Sequence, residues 1–295
     1  MNQVYIKARA KINLSLDITG KRDDGYHNIS TVMQSLSLFD SIEVKKVHKP
    51  DYHLKIVSNM SWLPNDSRNL AFKAAEYLIN RFNIKEGVFI GIKKVIPSSA
   101  GLAGGSADCA AALLAVTKLF SLPLSLEEII ELSVQFGADV PFCVMQGCAH
   151  ATGIGEILEP LPKIPHMHIV LAKPPLIVST EDVFRNFCLE DVKNRPNTEK
   201  LIHGIKSGDL AGICDNMGNV LESVTEVKHP IVGEIKSLMK KQGAEAAMMT
   251  GSGPTVFGIF TDKRKAILCA KLIKSTFKDI NEIFVTKPCN VKPSI

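Results

Sequence analysis

A chain of 295 residues is too long for one comfortable hydrophobic core, so two domains are expected. With 45% hydrophobic and 22% charged residues it has an ordinary globular composition, which argues against disorder and fibrous structure. The net charge of +5 comes from dispersed lysines, with short clusters only at Lys45 and Lys46, Lys93 and Lys94, and Lys240 and Lys241. Without interleaved aromatics, that pattern suits small acidic ligands and argues against nucleic acid.

Val4, Ile6 and Ala8 alternate with polar residues, and Ile12, Leu14 and Leu16 do so again. This predicts two strands separated by a tight corner at residues 8–10. Further strands are expected over residues 32–47 and 53–57, then a helix capped by Asn69 and running to Phe82. Residues 88–94 read as a strand entering a glycine-rich loop, followed by an apolar helical run at 109–119, a helix at 126–136 and the short segment GADVPFCV. The prolines between 160 and 165 mark a boundary, giving expected domains of residues 1–160 and 161–295.

Beyond the boundary, residues 168–172 read as a strand, 179–187 as a short helix and 230–242 as a longer amphipathic helix after a stretch of helical turns. Residues 246–249 and 255–260 form a predicted hairpin, 263–277 a helix and 283–285 a closing strand. That β-α-β-β-α-β order is the arrangement of ferredoxin-like domains. The expected fold class is therefore α+β.

The first eight residues carry no apolar leader and no stretch approaches the roughly 18 apolar residues of a membrane span, so a cytoplasmic protein without a membrane partner is expected. The seven cysteines contain no CxxC pair, and most lie in apolar segments, where a thiol packs as a small hydrophobe. His166 and His168 lie close together at a strand start with no further ligands nearby, so no protein-held metal site is expected.

Residues 97–108, PSSAGLAGGSAD, carry the strongest chemical signal. Three glycines, three alanines and three serines stand immediately before a helical run. Glycine allows amides to turn inward and an anion to approach closely, while a helix start adds free N–H groups and partial positive charge. Such a loop can hold phosphate, although a flexible strand-to-helix link has the same composition. The GxxxxGK[ST] and GxGxxG phosphate motifs are both absent.

Three other features carry possible chemistry. Lys11 sits in an apolar strand context, ARAKINLSL, where its cation must leave the core face or find an anion. Asp139 in GADVPF is either a turn aspartate or a carboxylate presented at a helix end. The segment TGSGPTVFGIF at 250–260 is a glycine turn feeding a strand.

The N-terminal AKINL, the PSSAGLAGGSAD loop and the late GSGPTVFG, in that order, resemble the motifs of the galactose, homoserine, mevalonate and phosphomevalonate (GHMP) kinases. The resemblance spans nearly the whole chain. Residues 20–40, GKRDDGYHNISTVMQSLSLFD, are similar to the substrate-binding stretch of the 4-diphosphocytidyl-2-C-methyl-D-erythritol kinase family, and GADVPF to its catalytic aspartate motif. The departure is GGSADCAA where related loops often read GGSSNAA; Asp108 is expected in the first turn of the helix, where it would suit the dipole.

The resemblance implies a two-domain GHMP kinase fold, with an N-terminal ATP-binding α/β domain and a C-terminal ferredoxin-like domain. It also implies ATP with Mg²⁺, a cytidine diphosphate sugar alcohol as acceptor at its 2-hydroxyl, and a place in isoprenoid biosynthesis. Lys11 and Asp139 are then the catalytic pair, and Pro97, Ser99, Gly101, Leu102, Ala103, Gly104, Gly105 and Ser106 hold the nucleotide. Asn13, Tyr26, His27, Asp139, Thr180, Phe184, Gly251 and Ser252 would contact the acceptor. The stretch 58–70 would border adenine, without a distinctive residue. Competing readings are a homoserine or mevalonate kinase, a nucleotide-binding relative without catalysis, and an RNA-binding protein. The second is disfavoured by the presence of both Lys11 and Asp139. A monomer and a homodimer are equally compatible with the chain.

Overall fold

The computed structural model describes residues 1–48, 51–192 and 194–291. The first strand, β1 (Gln3–Lys21), runs antiparallel to β2 (His27–Val47) along almost its whole length. The corner expected at residues 8–10 is a register irregularity within a continuous strand: Arg9 pairs with Phe39 but Lys11 pairs with Ser35. β2 accommodates the change by looping out, a device that bends a strand pair without ending it.

Then follow β3 (Leu54–Ser58), α1 (Leu70–Arg81), β4 (Gly87–Lys93), α2 (Gly104–Phe120), α3 (Leu126–Ser133), α4 (Val140–Met145), β5 (Cys148–Thr152) and β6 (Ile157–Pro160). Asn69 caps α1 by accepting the Ala71 amide, and Ser125 with Glu128 forms a reciprocal cap on α3. The helix expected over 126–136 tightens into a 3₁₀ turn after Ser133. The sheet order is β3-β4-β2-β1, with β5 joined to β2 and β6 to β5. The short strands β5 and β6 were not anticipated from the sequence.

The second half contains β7 (His168–Lys173), α5 (Thr180–Arg185), α6 (Thr198–Ser207), α7 (Leu210–Asp215), β8 (Gly218–Asn219), α8 (Glu222–Lys228) and α9 (Ile231–Lys241). The chain then adds β9 (Ala246–Met249), β10 (Val256–Phe260), α10 (Lys263–Thr276) and β11 (Glu282–Thr286). Four of these strands form an antiparallel sheet in the order β11-β7-β10-β9. The exception is β8, which pairs in parallel with β1 through Ser15–Gly218 and Leu16–Asn219 and so ties the second half to the first sheet.

Packing explains the orientation of the site. Val170, Ala172, Val256 and Phe260 face α9 and α10, whereas Ile169, Leu171, Phe257 and Ile259 pack with Ala10, Ile12 and Leu14 of β1. Each large aliphatic side chain buried there contributes about 1.5–3 kcal/mol. Because side chains alternate along a strand, Lys11 and Asn13 are turned away from that contact. They meet a cleft on the opposite face.

Candidate active site

The cleft has a volume of about 580 Å³ and is lined by the glycine-rich loop, Lys11, Asn13 and Asp139. Every second loop residue from Ser99 to Ala103 has a left-handed φ, at 49° for Ser99, 71° for Gly101 and 56° for Ala103. Such a curled backbone draws amides together into an anion-binding concavity. α2 begins at Gly104 and its N-cap, Ala103, supplies no side-chain hydrogen bond, so the first-turn amides are left for a ligand. The helix starts five residues before the apolar run that predicted it.

Pro97, Ser99, Gly101, Ala103, Gly104, Gly105 and Ser106 all line the cleft. Leu102 does not: its side chain is in the core, and its carbonyl accepts the Lys11 amide at 3.1 Å. Leu102 thus forms a main-chain strut between loop and β1. An apolar side chain gains more from burial than from facing a triphosphate.

Lys11 Nζ stands 3.5 Å from Asp139 Oδ2, although 128 residues separate them (139 − 11). Its side chain is 5% exposed, and it also donates to Asn13 Oδ1 at 2.8 Å. Asn13 in turn donates to Thr31 Oγ1 at 2.8 Å, so its amide is held at both ends. Asp139 occupies the N-cap position of α4 but makes no capping side-chain bond there. Its carboxylate, 38% exposed, faces the cleft and the ammonium instead.

The late glycine turn joins this group. Asn13 donates its backbone amide to Thr250 Oγ1 at 3.0 Å, while Gly251 and Ser252 line the cleft. Ser252 and Thr180 hydroxyls share a hydrogen bond of 2.8 Å. The turn and loop touch so closely that a Cβ on Gly101 would lie 2.2 Å from the Thr250 carbonyl oxygen. No side chain fits there.

Beneath the loop, Lys94 Nζ donates to Asp40 Oδ2 at 2.5 Å and Asp108 Oδ2 at 2.7 Å, with all three side chains buried. Asp108 is the fifth residue of α2 rather than part of its first turn, and this lysine, rather than the helix dipole, is its partner. Burial opposes the Lys94 charge, but Asp108 and Asp40 outweigh it and hold the ammonium above its usual range. Burial, reinforced by the neighbouring Asp40, pushes the Asp108 carboxyl up from 3.8 to about 7 against the pull of Lys94.

Between those two values the folded chain holds a proton that the unfolded chain releases, so this group's contribution to stability declines as pH rises through the window. In Asp108→Asn that component of the pH dependence is expected to vanish. Urea midpoints of the two proteins at about pH 5 and about pH 7 measure it. Equal pH dependence in both proteins would contradict the assignment.

An adjoining cavity of about 790 Å³ shares Ala138, Thr180 and Phe184 with the cleft. His27 and Phe184 rings meet there at 5.6 Å and 32°, and Phe187 approaches His27 edge-on at 6.4 Å. Tyr26 lines the same cavity and is 61% exposed. Burial, with a smaller contribution from Lys21, holds the His27 imidazole below its usual range, so it is neutral near pH 7. Neutral aromatic faces of this kind can stack a base.

Trp62, Leu63 and Arg68, within the stretch expected to border adenine, also line the cleft. Sequence reasoning had passed over Trp62, Lys94 and Phe187. Trp62 had a usable signal, as the single tryptophan of the chain in a polar, proline-containing loop.

The GHMP kinases N terminal domain model matches residues 69–147, and the GHMP kinases C terminal model matches 201–279. A 4-diphosphocytidyl-2-C-methyl-D-erythritol kinase of Lachnospira eligens is 44% identical over 93% of this chain and 94% of its own. The enzyme of the same name from Caldicellulosiruptor saccharolyticus is 45% identical over 97% of both chains. A crystal structure of 4-(cytidine 5'-diphospho)-2C-methyl-D-erythritol kinase superposes with a TM-score of 0.81, at 29% identity, covering 97% of this chain and 99% of that one. Homoserine kinase from Cytophaga hutchinsonii, at 19% identity and a TM-score of 0.78 over 99% of this chain and 96% of its own, shares the fold. Identity of this extent along nearly the full length, on a shared two-sheet frame, means that the chain belongs to the 4-diphosphocytidyl-2-C-methyl-D-erythritol kinase family of the GHMP kinases.

Proposed function

We propose that the chain transfers the γ-phosphoryl group of ATP to the 2-hydroxyl of 4-diphosphocytidyl-2-C-methyl-D-erythritol, a step of isoprenoid biosynthesis by the methylerythritol phosphate route. The observation that carries this reading is the 3.5 Å approach of Lys11 to Asp139 in a cleft that also contains the glycine loop and opens onto the His27–Phe184 pair. In that reaction the acceptor oxygen bonds to the γ-phosphorus as the bond to the β–γ bridging oxygen breaks. The hydroxyl proton passes to Asp139, and ADP departs with the bridging oxygen.

Phosphoryl transfer depends on positioning and charge neutralisation more than on covalent help. The amides of residues 101–106 and the start of α2 bind the phosphates, with Pro97 and Ser99 shaping the loop. Lys11, 3.5 Å from the Asp139 carboxylate, orients it and favours the developing alkoxide. His27, Tyr26 and Phe184 take the cytosine; Asn13, Thr180, Gly251 and Ser252 border the sugar alcohol. Residues 1–160 form the nucleotide-holding unit in this reading and residues 161–295 the acceptor-side unit.

The residues present fit the Mg²⁺ that accompanies ATP. Asp108 Oδ1 is buried without a hydrogen-bond partner, and Asp108 and Ser106 line the same cleft. Such oxygens suit a hard cation that keeps waters and phosphate ligands. Ser106 and Asp108 would hold it directly or through water, and when bound it neutralises phosphate charge.

The test is ADP release with a panel of alcohols. Turnover is expected with 4-diphosphocytidyl-2-C-methyl-D-erythritol and not with homoserine or mevalonate. Phosphorylation of either of those, with none of the cytidylated alcohol, would overturn the assignment.

A further inference from the structure

The catalytic group rests on the glycine turn at 250–253, and the structure shows what holds that turn from behind. Asn219, buried on β8, donates both amide protons to the turn, to the Met249 carbonyl at 2.9 Å and the Gly251 carbonyl at 2.8 Å. Its own Oδ1 accepts the Leu221 amide at 3.0 Å, which fixes the orientation of the side chain. Three residues on, Glu222 Oε1 accepts the Met249 amide at 2.7 Å. After three more, Thr225 donates its hydroxyl to the Ser252 carbonyl at 3.1 Å. Lys236 anchors the Glu222 carboxylate through its other oxygen at 2.8 Å. Asn219, Glu222 and Thr225 thus satisfy four main-chain groups between Met249 and Ser252.

From the turn, the connection to the reacting group is short. Thr250 Oγ1 accepts the Asn13 amide, Asn13 Oδ1 accepts the Lys11 ammonium at 2.8 Å, and Lys11 faces Asp139. Thr250 is fully buried, so it has no room to re-form these bonds elsewhere. We infer that Asn219, with Glu222 and Thr225, is a positioning clamp that sets the Lys11–Asp139 geometry through the 250–253 turn. None of the three is assigned a contact with either substrate. The inference rests on the reading of Lys11 and Asp139 as the reacting pair. Asparagine is required at 219 because two carbonyl oxygens need two donors from one planar group; an aspartate would set a carboxylate against them.

The experiment compares Asn219→Ala with the parent enzyme by steady-state kinetics, normalised to folded protein, and by hydrogen exchange. The expected result is a kcat about 100-fold lower, the scale of a small misplacement of reacting groups, with KM for ATP and for the alcohol nearly unchanged. Amides of residues 250–253 exchange faster, and those of α1 and β4 do not. A purely structural residue would lower the melting temperature but leave kcat per folded molecule intact, and that result overturns the clamp. Should Asn219→Ala fail to fold, the isosteric Thr225→Val removes a single bond. It is expected to show a smaller loss in kcat alone, and an unchanged kcat there overturns the clamp equally. Asp139→Asn is assayed in parallel. If it is inactive while the clamp variants are fully active, the clamp fails and the reaction centre stands; if it turns over normally, the reaction centre fails.

Discussion

Asp139→Asn is expected to bind ATP with unchanged affinity and to turn over on the order of a thousandfold more slowly, the usual scale for loss of a positioned base. The substitution preserves shape, so the cleft stays open and the glycine loop is untouched. An amide has no appreciable affinity for the hydroxyl proton. It also leaves Lys11, 5% exposed and 3.5 Å away, without its anionic partner. Isothermal titration with ATP separates binding from chemistry, and ADP release in the presence of the cytidylated alcohol reports turnover. Near-normal turnover would mean that Asp139 does not act as the base.

Gly101→Ala is expected to lower kcat/KM for ATP by about 100-fold and to destabilise the protein by about 1–3 kcal/mol, the range for a residue forced into an unfavourable backbone region. Two independent costs coincide at this position. Its φ of +71° is left-handed, and an added methyl carbon would lie 2.2 Å from the Thr250 carbonyl oxygen. That oxygen belongs to backbone, so the obstacle cannot rotate away. The loop or the turn must move, and either movement disturbs Lys11 through Leu102 or Asn13. Thermal unfolding and ATP-dependent kinetics measure the two effects separately. Unchanged values in both would show slack between the two glycine turns.

Much of this arrangement was legible in local chemistry. The Asn69 cap, the 87–93 strand and the four strands of the second sheet followed from periodicity and from side chains that hydrogen-bond their neighbours. The corner expected in β1 is instead a register shift between Arg9 and Lys11, which bends the strand pair without ending β1. The short strands β5, β6 and β8, of 5, 4 and 2 residues, carry too little periodic signal to stand alone and exist because partners complete their hydrogen bonds. In the sequence Lys94 is one of a short basic cluster with Lys93, whereas pairing with Asp40 and Asp108 makes it a buried strut.

By itself the sequence determined which residue types the chemistry would use: glycines where the backbone must turn left-handed, an N-terminal lysine, an aspartate before a proline, and an aromatic–histidine pair. These are properties of single residues and short windows, and covalent geometry enforces them wherever the chain goes. The tertiary structure alone decided that Lys11, Asp139 and Thr250 meet, that Leu102 faces the core, and that Asn219 grips a turn 30 residues further on at Met249. Those outcomes depend on the second sheet burying one face of β1, which leaves Lys11 and Asn13 on the face that meets the cleft. Burial of that kind is summed over the whole chain and leaves no trace in any short window.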